Sequence, residues 1–310
     1  MLVKPERAAA TRLAATWAAG PGKLRAPATL PAVFGEALRS VVRRRTALVG
    51  LVMVVLTIVA ALAAPLVAPY DPTEMHARTR FAAPSLEFLL GTDEAGRDLL
   101  SRMLYGAQIS IAVAFAATSL ALLAGVPIGM VAGYAGGWLD DLLMRVLDAL
   151  LAIPAILLAL TLVTALGPGV PQVTMAIGVL GVPVTARIAR ASVLAELHKE
   201  YVLAARSAGA GTAHILRRVL LPNALSPLLV MASVLAANAI LLEAALSFLG
   251  FGPRPPEASW GSLLQAGYQV MDHSVWFVTF PGLAIFLLVW SFNVLGDALR
   301  DGLDPRLRSV

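Results

Sequence analysis

Six stretches of this chain are apolar for long enough to cross a bilayer, and nothing else in it constrains the fold as tightly. They lie near 47–69, 105–133, 146–166, 172–190, 224–250 and 275–298. Crossing the hydrocarbon takes roughly 20 residues of helix. The composition agrees: 58% of residues are hydrophobic and 14% charged, where a soluble domain carries roughly 25% charged residues. The expected fold class is all-α, a polytopic membrane protein with six transmembrane helices. The second and fifth stretches are long enough to tilt or to run beyond the hydrocarbon. Pro183 and Arg187 interrupt the fourth. Pro127, Pro154 and Pro183 are expected to kink their helices.

The basic residues orient the bundle, because Lys and Arg concentrate on the cytoplasmic side. With the N-terminus inside, the inner segments hold nineteen of the 24 Lys and Arg residues and the outer segments five. Both termini and the loop at residues 199–222 are therefore expected in the cytoplasm. The same asymmetry accounts for the net charge of +5, so the basicity is no nucleic-acid footprint.

Residues 1–45 are rich in Ala, Arg and Pro without a sustained apolar period, and read as a mostly disordered basic tail ending in Arg43, Arg44 and Arg45. Ala61-Leu62-Ala63 resembles a cleavage site, but the basic region before it is far too long for a signal peptide. The first helix is expected to be an uncleaved anchor. Residues 46–104 comprise that helix and the largest external segment, which Tyr70-Asp71-Pro72 opens. Thr92 or Asp93 is expected to cap a short surface helix whose apolar face is Leu99, Leu100, Met103 and Leu104. Between the fifth and sixth spans, Pro255-Pro256 favours extended polyproline, Ser259 can cap a helix starting at Trp260, and Trp260 is expected at the membrane interface.

Most enzyme chemistry is excluded. The chain has no cysteine, so disulfides and thiolate sites are impossible. Its three lysines, Lys4, Lys23 and Lys199, lie outside any phosphate-cradling loop. An ATP-driven process would need its ATPase on another polypeptide. The histidines, His76, His198, His214 and His273, lack paired metal-ligand spacing. Glu243 is the notable polar group within the spans, since charge at membrane depth is expensive. It lies seventeen residues beyond Ser226, about 25 Å along the helix at 1.5 Å per residue. Two readings stand: a side chain reaching outer interfacial water, or one facing a cavity on a pathway that Asn238 would share. Asp148, Asn238 and Asn293 are otherwise expected as helix–helix hydrogen-bond partners.

The loop EYVLAARSAGAGTAHILRRVLLPN, Glu200 to Asn223, has an unusual order. Tyr201, Ala205 and Ala208 fall on one helical face with Ala204 beside them. Gly209 can end that helix in a left-handed turn. Ile215, Leu216, Val219 and Leu220 form a second apolar stripe, Arg217 and Arg218 its polar side, and Pro222 closes the piece. The pattern describes a helix–turn–helix knob; a hairpin lying on the membrane surface is the alternative.

Ala204-Ala205, three residues, Gly209, nine residues, then Val219-Leu220-Leu221-Pro222 resembles the EAA signature of membrane subunits of binding-protein-dependent bacterial ABC importers. LGTDEAGRDLLSRMLYGAQIS, LSFLGFG and PPEASWG resemble the dipeptide/oligopeptide/nickel permease branch, and within it the C-type subunit. The resemblance covers about residues 40–305 and implies one anchor helix followed by a five-helix core at 105–299, with a cytoplasmic tail at 300–310. It implies that the loop docks as a coupling helix into a cytoplasmic ATPase through Glu200, Tyr201, Ala204, Ala205, Arg206, Gly209, Arg217, Arg218, Leu221 and Pro222. Leu203 stands where the signature has glutamate, and Arg218 where a histidine is common. Docking is therefore expected to rest on shape and small residues first.

The implied function is the pore-forming subunit of an ATP-driven peptide importer, not itself an enzyme. It would sit in the bacterial inner membrane among membrane lipid. Its expected partners are a homologous B-type permease, two ATPases and an extracytoplasmic binding protein. It would carry no cofactor of its own, with ATP and Mg on the ATPases. Nickel complexes and glutathione-like peptides remain alternative cargoes. Different classes are a self-contained secondary transporter, for which mid-membrane ion sites are too scarce, and a membrane anchor without a pore.

Overall fold

The computed structural model describes residues 30–303. The expectations for residues 1–29 and 304–310 lie outside the described residues. Within them the chain is helical and has five helices long and apolar enough to cross a membrane. These are α2 (Arg45–Leu62), α4 (Leu99–Ala135), α7 (Val170–Glu196), the continuous helix Thr212–Phe248 and α12 (Val275–Leu303). A short turn, α3 (Ala64–Val67), follows α2.

Three expected boundaries are corrected. The N-terminal tail contains a helix, α1 (Leu30–Arg43). Its Val41 is buried against the core. At the other end α12 continues to Leu303, whose side chain is buried beside Leu225 and Leu229. The third span is not one helix. It consists of α5 (Gly137–Leu151) and α6 (Ala155–Leu166), bent by 89°. Pro154 explains the break, because it lacks an N–H, crowds the preceding turn and disfavours helix at Ile153. Alone, the 12 residues of α6 reach about 18 Å, well short of the hydrocarbon. Pro127 and Pro183, by contrast, lie inside unbroken helices.

α4 and α7 form the central pair, and small residues let them close. Gly129 of α4 lies directly under the carbonyl of Ala186, so any Cβ there would collide with backbone. A Cβ at Gly125 would come within 2.7 Å of Thr185 Cβ. Without a hydrophobic drive between helices in lipid, such close packing is what holds them. Near the C-terminal end of α7, Arg190 grips Asp140 of α5 with two bonds of 2.6 Å. Arg187 reaches Asp148 at 2.5 Å. The bent pair is thereby moored to α7.

The external segment is folded rather than laid on the surface. No separate helix is capped by Thr92 or Asp93. Instead Asp98 caps α4 directly, its carboxylate accepting from the backbone N–H of Ser101 at 2.7 Å. Asp93 is fully buried. Its Oδ1 accepts from the N–H groups of Ala95 and Arg97, at 2.8 and 2.9 Å. Its Oδ2 takes the Arg97 guanidinium at 2.7 Å and that of Arg102. A buried charge is tolerated only when paired and hydrogen-bonded in this way. Pro255-Pro256 sits in a turn with a cis bond, not extended polyproline. Ser259 does cap α11 (Trp260–Gln269), as expected. Trp260 is buried, not interfacial, and its Nε1–H donates to the carbonyl of Met103 at 2.9 Å.

Candidate functional site

The loop expected to dock a partner folds into a compact knob. Its first helix, α8 (Glu200–Ser207), ends in a Schellman turn. Gly209 adopts φ +81°, its N–H bonds the Arg206 carbonyl at 2.9 Å, and the Ala210 N–H reaches back to Ala205 at 3.1 Å. That pattern satisfies the last helical carbonyls. A Cβ at Gly209 would meet nothing within 4 Å, so the glycine is there for its backbone angle and leaves a flat, open patch.

The second half departs from the expectation of a simple amphipathic helix. A turn, α9 (Thr212–His214), passes into a π-helical stretch, Ile215–Leu220, and then without a break into α10 (Leu221–Phe248). The wider turn immediately precedes Pro222, whose ring would crowd the Arg218 carbonyl in a regular helix. Pro222 therefore does not close the knob. The second half of the knob is the N-terminal end of a 37-residue helical rod, Thr212–Phe248.

Apolar anchors fix it to the bundle. Val202, Ile215 and Leu220 are buried in one cluster with Met130 of α4, Ala189 and Val193 of α7, and Ala224 and Leu228 of α10. Sequence reasoning found Ile215 and Leu220 but missed Val202, the fully buried position of α8. Tyr201 also faces inward in part. Its hydroxyl donates to Glu196 at 2.5 Å, and Lys199 holds the same carboxylate at 2.6 Å. Burial first, and then the Glu196 carboxylate, hold the Tyr201 phenol above its ordinary pKa, so it stays the donor. Arg206 stacks over the ring of Tyr134, 4.9 Å from its centre. Tyr201 and Arg206 are thus also engaged within the chain.

Glu200, Leu203, Ala204, Arg206, Gly209, Arg217 and Arg218 are exposed, with Ala205, Leu221 and Pro222 half-buried. Leu203 is 48% exposed. The position where the resembled signature carries glutamate therefore presents an apolar side chain outward. His198 and His214 are exposed, as expected.

The two residues assigned to a pathway part company. Glu243 is buried, 1% exposed, so it does not reach solvent in this chain. Its carboxylate accepts from Ser247 at 2.8 Å and from Ser110 of α4 at 3.1 Å. Ser110 in turn takes the N–H of Trp260 at 3.4 Å, so one carboxylate ties α4, α10 and α11 together. Asn238 is exposed on α10. Asn293 is also exposed and donates to its own helix, at Val289. Neither bridges two helices here.

These features define an integral-membrane subunit whose helices end in a knob built to meet something outside the bilayer. The chain belongs to the family described as binding-protein-dependent transport system inner membrane component, whose pattern matches residues 125–309. The N-terminal transmembrane domain of oligopeptide transport permease C matches residues 33–84. The chain is 41% identical over 286 residues to the di/tripeptide transport system permease protein DppC of Pseudomonas aeruginosa, covering 90% of this chain and 94% of that one. It is 45% identical over 272 residues to the dipeptide transport system permease protein DppC of Escherichia coli, covering 86% and 91%. Among solved structures, the inward-facing MetNI methionine ABC transporter shares the fold at a TM-score of 0.54 and 19% identity, over 64% of this chain and 94% of that one. The chain is therefore a multi-pass permease subunit of a bacterial ABC importer in the inner membrane, and a transport subunit rather than an enzyme. Such a permease works with ATP-hydrolysing, substrate-binding and permease partners.

Proposed function

We propose that this chain forms one half of the translocation pore of a peptide importer. A homologous B-type permease forms the other half. Two cytoplasmic ATPases, carrying ATP and Mg, drive it, and an extracytoplasmic binding protein delivers the cargo. Di- and tripeptides are the cargo class favoured by the names of the similar permeases. Both termini and the knob face the cytoplasm, a placement supported by the bias of basic residues.

One observation carries the mechanism: the knob is continuous with α10 and bolted to α4 and α7 by Val202, Ile215 and Leu220. A push on the exposed face of α8 therefore cannot be absorbed locally. It moves the inner ends of three spans together, which is the bistable element that two coupled sites must share. ATP-driven closure of the ATPases would bring the knobs together and open the pore outward; hydrolysis would reset it.

The test is uptake by the whole complex in sealed vesicles, with ATP inside and labelled dipeptide plus binding protein outside. Uptake should require ATP and be competed by unlabelled dipeptides. Uptake driven by an ion gradient without ATP would overturn the class. Competition by nickel complexes or glutathione but not by dipeptides would overturn the cargo.

A further inference from the structure

The sequence places a string of arginines just before the first span, and the fold gives them a specific arrangement. On α1, Leu38 and Val42 stand one turn apart and are 61% and 55% exposed. Arg39 and Arg43 stand beside them, also one turn apart and exposed. Val41, next to them on the helix, is turned into the core that contains Ala298 of α12. An exposed apolar pair flanked by an exposed basic pair is the pattern of a helix lying in a membrane interface, its apolar edge among acyl chains and its charges at headgroup depth.

Beside this helix is a cavity of about 460 Å³, lined by Arg39, Ser40, Arg43, Arg44, Ala298, Asp301 and Gly302. Gly302 permits the close approach, since a Cβ there would collide with Ser40. Arg44 is neutralised by Asp301 at 2.6 Å. Arg39 and Arg43 have no ion-pair or hydrogen-bond partner among the described residues. Three guanidiniums thus face one carboxylate around a concave space within the size range of ligand pockets. Guanidinium is the side chain best matched to phosphate oxygens, and the cytoplasmic leaflet carries the anionic lipids.

We infer that the cleft between α1 and the inner end of α12 binds the phosphate headgroup of an anionic phospholipid, with Arg39 and Arg43 as the recognising groups. The lipid would pin α1 to the bilayer surface and so brace the first span against the core. The inference rests on the cytoplasmic placement of the termini.

The experiment titrates the detergent-purified importer complex with phosphatidylglycerol and with phosphatidylcholine, reading bound lipid by native mass spectrometry. Each basic residue near an anionic surface is worth about 1 kcal/mol, so Arg39→Gln/Arg43→Gln should weaken phosphatidylglycerol binding roughly 30-fold, at tenfold per 1.4 kcal/mol. Phosphatidylcholine binding should change little, and Arg39→Lys/Arg43→Lys should recover part of the loss. Unchanged phosphatidylglycerol binding in the Gln variant, with ATPase activity showing it intact, overturns the site. Displacement of the lipid by millimolar inorganic phosphate alone overturns the lipid assignment in favour of a free-anion site. Because the chain has no cysteine, Ala213→Cys reports orientation separately: labelling by an impermeant maleimide from outside the cell would overturn the cytoplasmic placement, whatever the titration shows.

Discussion

The guanidinium of Arg206, on the knob, lies over the ring of Tyr134 at the C-terminal end of α4, 4.9 Å from its centre. This contact joins α8 to α4, at a point where α8 otherwise exposes most of its surface. A cation over an aromatic face contributes roughly 0.5–1 kcal/mol when exposed. If that contact holds α8 in the orientation that meets the ATPase, removing the ring lowers the competent population about two- to fivefold. Tyr134→Leu should reduce ATP-driven uptake by that factor with normal membrane insertion, whereas Tyr134→Phe, which keeps the ring, should not. Equal uptake by the two variants would show that the contact is incidental.

Gly209 separates backbone need from space. Its φ of +81° is strained for any side chain, yet a Cβ would touch nothing. Asn tolerates this conformation and a β-branched residue does not. A left-handed residue costs about 1–2 kcal/mol, and a side chain here also projects from the docking face. Gly209→Val should therefore cut uptake by about tenfold or more and reduce co-purification of the ATPases, while Gly209→Asn keeps most of both. Insertion should be intact in each case. Full uptake and normal ATPase recovery with Val would sink the coupling role of this turn.

These residues also show where sequence reading succeeds and stops. Five spans were legible because crossing lipid forces a long apolar run, whatever the tertiary fold. A kink at Pro154 was legible from the proline, but its 89° size was not, nor that Pro127 and Pro183 would leave their helices unbroken, because hydropathy stays high across all three and says nothing of the backbone. α1 was missed because the Ala-, Arg- and Pro-rich composition was read over the whole of residues 1–45, although Leu38, Val41 and Val42 do follow helical spacing. The left-handed turn at Gly209 was legible because its determinant is local. Its bracing was not: Tyr201 meets Glu196 across a helix break, and Ser110 meets Glu243 from 133 residues away. The charges around Asp93 read as a solvated external segment, since nothing local reveals that the chain folds over them.

That cluster yields a prediction about assembly rather than transport. Asp93 is the common acceptor for Arg97 and Arg102 and for two backbone N–H groups. Removing one member of a buried ion pair leaves charge uncompensated, at a cost of about 3–5 kcal/mol. Asp93→Ala should therefore lower the thermal stability of the purified complex markedly and reduce its yield in the membrane. Glu94→Ala, which removes only the longer, partly exposed contact to Arg97 at 3.3 Å, should change stability by less than about 1 kcal/mol. Thermal melts of the two variants provide the check, and comparable losses would mean that the Asp93 contacts are not what holds the external segment.

Glu243 allows the tie and the pathway to be distinguished. Hydrogen bonds to a charged group contribute about 1.5–3 kcal/mol, and buried donors left without a partner add to the loss. If Glu243 acts by joining Ser110 and Ser247, then Glu243→Leu should destabilise the complex by that order. Glu243→Gln keeps a carbonyl acceptor and should recover much of the stability, with uptake following stability in both variants. A pathway role makes a different forecast, because translocation would depend on the charge itself. A Gln variant that melts with the wild type yet fails to import dipeptide would refute the structural reading and return Glu243 to the pore. Measuring melting temperature and vesicle uptake on the same preparations separates the two outcomes, and Ser110→Ala, which leaves the charge but removes one donor, should move only the first.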